Sequence, residues 1–84
     1  MGTMIKSINT EKYQELLSWL KKGRLAQGLT VRDLALVIDE PFQFVSKIET
    51  AQRKLSIHEY VQYCEALNLD PVKGLEIITK KTMR

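Results

Sequence analysis

The chain has 84 residues, 44% of them hydrophobic, with 13 Lys and Arg against 10 Asp and Glu for a net charge of +3. That suffices for one compact domain and argues against disorder over most of its length. No apolar run reaches the roughly 18 residues of a membrane span, no hydrophobic signal region opens the chain, and a single cysteine, Cys64, rules out an internal disulfide. A soluble, cytoplasmic protein is the expectation. The mild positive charge favours an anionic partner, and so small a core favours added burial through dimerisation.

Residues 1–9 read as an N-terminal tail, in which Met1-Gly2-Thr3 ahead of Met4 looks like a cloning remnant. One domain is expected over residues 10–80, and residues 81–84 read as a fraying C-terminal tail. A first helix is predicted from Thr10 to about Gln27, with Thr10 as N-cap and Gly28 as its stop. Tyr13, Leu16, Leu17, Leu20 and Arg24 fall on one stripe. A second helix starts at Thr30, where Thr30 and Asp33 resemble a capping box. Its buried face is Leu34, Ala35 and Ile38.

Pro41 breaks the second helix and is suited to begin a third, running to about Glu49, because its missing N–H would be unpaired there anyway. Phe44, Val45 and Ile48 share the inner face of that helix; Phe42, Gln43, Ser46 and Lys47 point elsewhere. Thr50 to Leu55 is a polar, basic loop. Ser56-x-x-Glu59 is a capping box opening a fourth helix, with Ile57, Tyr60, Val61, Cys64 and Leu67 as its apolar stripe. Asp70-Pro71 opens a fifth, with Val72, Leu75, Ile78 and Ile77 on its apolar side. The fold class is all-α, five helices.

The second and third helices are joined by a turn too short for them to lie side by side, which is the helix-turn-helix pattern. Its usual job is to place the second helix of the pair in the major groove of DNA. Catalysis and metal binding find no support: His58 stands alone, there is no Cys/His ligand set, and no phosphate-cradling glycine loop occurs. No cofactor is expected.

Gly28-Leu29-Thr30, Asp33-Leu34-Ala35, Pro41, the run Phe44 to Glu49, Arg53 to Ser56 and Cys64-x-Ala66-Leu67 together resemble the Cro/C1-type (XRE) helix-turn-helix regulators, which include phage repressors. The resemblance spans about Leu16 to Ile78. It implies a compact, lambda-repressor-like five-helix bundle. In it the helix near 30–38 crosses the DNA backbone, the helix near 41–49 reads bases, and the positions of Phe42, Gln43 and Lys47 face base edges. It also implies an ion pair between Arg24 and Glu49. Four positions depart from the family pattern: Val31 where Gln is common, Asp39 and Ala51 where Gly is common, and Glu40, which adds charge to the turn. Asp tolerates a left-handed conformation better than most residues.

The residue chemistry suits these places. The Gln43 amide can pair with two atoms of adenine. Ser46 and Lys47 suit guanine or phosphate oxygens. Phe42 has three readings: packing on thymine methyls, folding back onto Ile38 or Phe44, or forming a protein-binding patch. Arg53 and Lys54 lie in the loop where phosphates should pass. Thr30 caps a helix whose N-terminal N–H groups suit a phosphate, and Arg32 adds charge in the same turn, where a cation is otherwise disfavoured.

The leading expectation is a homodimeric repressor on a near-palindromic operator, its half-sites roughly 34 Å apart. Its dimer surface is placed around Leu69 to Ile78. The alternative is a protein-interaction module, such as an antitoxin or phage accessory protein, favoured by Val31, Asp39, Glu40 and Phe42.

Overall fold

Local capping chemistry sets where the helices begin. In a computed structural model, which describes residues 10–79, five helices follow in order: α1 (Glu11–Ala26), α2 (Val31–Val37), α3 (Phe42–Glu49), α4 (Ile57–Leu67) and α5 (Pro71–Thr79), with no strand among the described residues. The expected tails, 1–9 and 81–84, lie outside the described residues, as does Lys80. The Thr10 hydroxyl accepts from the Tyr13 N–H at 3.2 Å. The Thr30–Asp33 box is reciprocal, at 3.0 and 2.9 Å, and so is Ser56–Glu59, at 3.1 and 2.8 Å. The Asp70 carboxylate accepts from the Val72 N–H at 3.0 Å. Each cap satisfies donors that the first helical turn leaves without partners.

α3 is the exception. Pro41 is the N-cap and not the first helical residue: its φ of −64° suits either place, but its ψ of 153° leaves it extended, and it offers no side-chain cap. The helix therefore starts one residue later than the sequence suggests.

α1 to α4 end alike. Gly28, Asp39, Ala51 and Asn68 all have φ between 58° and 73°. At each, two backbone N–H groups fold back onto carbonyls of the last turn, as in Glu40 to Ala35 at 2.9 Å with Asp39 to Leu36 at 3.2 Å, and Gln52 to Lys47 at 2.8 Å with Ala51 to Ile48 at 3.1 Å. This left-handed closure normally recruits glycine. Here glycine serves it once, and Asp39 and Ala51 adopt it despite their Cβ atoms.

The core is Leu16, Leu17 and Leu20 of α1, Leu34 and Ala35 of α2, Val45 and Ile48 of α3, and Tyr60, Tyr63, Cys64 and Leu67 of α4. Two expected stripes need correction. On α4, Ile57 and Val61 are exposed and Tyr63 is buried in their stead. On α5, Val72 and Leu75 are exposed, and Ile77 and Ile78 are only partly buried. α5 approaches through Gly74, where an added Cβ would run into the Tyr60 hydroxyl and the Trp19 ring. Close contact through a glycine leaves the larger apolar residues of a short helix facing outward. Cys64 is buried, and that burial raises its thiol pKa, as expected of an inert core residue.

Candidate nucleic-acid interface

α3 is anchored by Val45 and Ile48, both fully buried. The opposite face then has to look outward, because residues three and four apart share a side of a helix. Gln43 and Lys47 are exposed there, with the partly buried Ser46 between them. Three of the four residues expected to face bases, Gln43, Ser46 and Lys47, thus share one surface.

Phe42 is 37% exposed, and its ring carries the Arg32 guanidinium 4.0 Å from its centroid. Both side chains border a shallow cleft between α2 and α3 that also takes in Leu36 and Glu40. Neither the core reading of Phe42 nor an isolated exposed ring describes this arrangement. The sequence separation of ten residues gave no sign of the contact.

The end of α3 is fixed by Arg24 and Glu49. Arg24 Nε donates to Glu49 Oε2 at 2.6 Å, and Nη2 donates to Oε1 at 3.0 Å. Nη1 donates to the Leu29 carbonyl at 2.8 Å. The two side chains are 8% and 10% exposed, and the Glu49 hydrogen bonds push the Arg24 pKa up. One arginine thus joins α1, the chain entering α2, and the last residue of α3.

Arg53 is engaged in a way the sequence did not suggest. Its Nη1 and Nη2 donate to the two carboxylate oxygens of Glu59, each at 2.9 Å. Nη1 also donates to the Lys54 carbonyl at 3.2 Å, and the guanidinium lies 4.5 Å from the centre of the Phe44 ring. Arg53 pulls the Glu59 pKa down to about 2, helped by the Ser56 N–H. The same carboxylate therefore caps α4 and holds the loop after α3. At the start of α2, the Asp33 carboxylate occupies the Thr30 N–H, which lowers the Asp33 pKa. The N–H groups of Thr30 and Asp33 are thus already satisfied within the capping box. Lys54 is exposed.

A family model described as Helix-turn-helix matches residues 20–73. A solved structure described as an XRE-family like protein from Pseudomonas syringae pv. tomato str. DC3000 is 35% identical, with a TM-score of 0.80 over 92% of this chain and 94% of that one.

The chain belongs to the XRE family of helix-turn-helix proteins.

This XRE protein also shares its fold with the clp gene regulator ClgR from C. glutamicum, at a TM-score of 0.72 and 21% identity, over 90% of this chain and 100% of that one. No curated protein matches it. The family is one of DNA-binding transcription regulators, and this chain is a DNA-binding helix-turn-helix protein of that kind. Among the described residues, no helix is long and apolar enough to cross a membrane, and no group of three or more His, Cys, Asp and Glu could hold a metal ion.

Proposed function

We propose that this XRE protein is a dimeric repressor that recognises a near-palindromic operator through α3. The observation that carries the reading is the outward placement of Gln43, Ser46 and Lys47 on a helix whose other face is locked by Val45 and Ile48. A rigid helix with amide, hydroxyl and ammonium groups on one face matches the donors and acceptors of the major groove. Gln43 and Lys47 are assigned to base edges, with Ser46 at a base or the adjoining backbone. Thr30, through its hydroxyl proton, is assigned to a phosphate, as are Arg32, Arg53 and Lys54. For Arg53 this means sharing a guanidinium already bound to Glu59. The exposed Val72 and Leu75 of α5 support a second copy packing on that helix.

A second reading has its own support. Leu36 and Val37 are 80% and 58% exposed on α2, next to the acidic pair Asp39 and Glu40. An apolar patch of this kind suits a protein partner.

Fluorescence anisotropy on DNA upstream of its own gene, at two salt concentrations and with random-sequence competitor, separates the two. Saturable binding that survives competitor supports the repressor reading. Binding that competitor abolishes favours the protein-partner reading. Sedimentation of the free protein tests the dimer.

A further inference from the structure

The described part of the chain has three arginines, and two of them have their donors engaged. Arg24 is held by Glu49 and the Leu29 carbonyl. Arg53 is held by Glu59 and the Lys54 carbonyl. Arg32 is different. Its contact is with the Phe42 ring, and no hydrogen bond or carboxylate partner holds it among the described residues. It also occupies the first turn of α2, where the helix dipole disfavours a cation. The acid beside it, Asp33, is turned back onto Thr30. Arg32 is thus an arginine placed against local electrostatics and steadied by an aromatic face.

Stacking and ion pairing engage a guanidinium differently. A carboxylate takes up its N–H donors, whereas a ring covers one flat face and leaves the donors at the edge available. The Phe42 ring thus restricts the Arg32 side chain without spending its hydrogen-bonding capacity. Phe42 is the first residue of α3, and Arg32 comes from the flanking helix. When α3 enters the major groove, the helix before it crosses the sugar–phosphate wall.

We infer that Phe42 is a positioning residue: it holds the Arg32 guanidinium ready for a DNA backbone phosphate at the edge of the groove entered by α3. Phe42 then acts on DNA through Arg32 and does not itself choose the base. The inference rests on the DNA-binding reading above and adds to it a division of labour, in which Gln43 and Lys47 read sequence while the Phe42–Arg32 pair sets affinity.

The test uses the full chain and the variants R32A, F42L, F42Y and the double variant R32A/F42L. Leucine keeps apolar bulk but lacks the π face, and tyrosine restores it. In the free protein, the Arg32 Nε–H resonance should move in F42L and return in F42Y, because a ring at this distance shifts the resonances of groups over its face. A resonance indifferent to F42L overturns the Phe42–Arg32 stack whether or not the protein binds DNA.

On DNA, F42L should weaken binding by about three- to fivefold on operator and random duplex alike. R32A should lower the slope of log affinity against log salt by about 0.9, the loss of one phosphate contact. In the R32A background, F42L should add little, since coupled residues are not additive. With Arg32 intact, F42Y should bind like the unmodified chain. The inference falls if F42L and R32A effects multiply, or if F42L changes base preference at an unchanged salt slope, which would make Phe42 a reader. If R32A alters preference at a single base pair, Arg32 contacts a guanine edge and the phosphate assignment is overturned. Failure of the unmodified chain to bind any duplex, with the Arg32 resonance still shifted by the ring, would remove the DNA-binding reading and overturn the proposed use of the Phe42–Arg32 stack, while leaving the stack itself in place.

Discussion

Arg24 and Glu49, 25 residues apart, meet in a pair of hydrogen bonds that ties the last turn of α1 to the last residue of α3. Both side chains are almost fully buried. Removing one partner of such a pair leaves the other charge buried without compensation. Arg24→Met should therefore destabilise the fold by about 3 kcal/mol. The double variant Arg24→Met/Glu49→Leu should recover part of that loss, because no lone carboxylate remains. Urea unfolding of the two variants makes the comparison; a double variant less stable than the single one would contradict it.

Glu59 gives the stability a pH dependence. Its pKa is about 2 in the folded chain, against an ordinary 4.5. A carboxylate with a depressed folded-state pKa contributes stability that is complete above its unfolded pKa and fades as pH falls through the folded value. The contribution should be complete above about pH 4.5 and disappear towards pH 2. Glu59→Gln keeps an acceptor for the Ser56 N–H but loses the charge facing Arg53. The gap in urea midpoint between Glu59→Gln and the unmodified chain should be steady from pH 7 to 5 and close as the pH approaches 2.

Ala51 follows α3 with a φ of 62°. A Cβ in this region costs roughly 1–2 kcal/mol, and glycine avoids that cost while gaining freedom in the unfolded chain. Ala51→Gly should raise stability by about 0.5–1 kcal/mol, read as a higher urea midpoint at unchanged slope. Asp39→Gly, at φ 59°, should act in the same direction.

Gly74→Ala should do the opposite. The new methyl has to displace the Tyr60 hydroxyl, which donates to the Pro71 carbonyl at the start of α5, and the Trp19 ring. A loss of about 2 kcal/mol is expected, with a change in Trp19 fluorescence that marks movement of α5.

Gln43→Ala should cost about 1–3 kcal/mol at one base pair of the operator and leave binding to random duplex unchanged. A binding panel with each operator position substituted in turn would reveal that position. Uniform weakening across all sequences would place Gln43 on the backbone.

The sequence by itself determined the starts of α1, α2, α4 and α5 and the outline of the fold. Thr10, Thr30–Asp33, Ser56–Glu59 and Asp70 work within two or three residues of where they stand. Local chemistry of that range is legible in a string of letters. The resemblance to the XRE pattern likewise marked residues 39 and 51 as glycine-like positions, and both turn left-handed. The tertiary structure decided the rest. Periodicity gives a helix an apolar side but not the direction from which its neighbour arrives; the approach of α5 through Gly74 exposed Val72 and Leu75, and α4 turned Tyr63 inward in place of Val61. The partners of Arg32 and Arg53 depended on where Phe42 and Glu59 came to lie. A flexible cation has several acids and rings within reach along the chain, and only the packing of the helices selects among them.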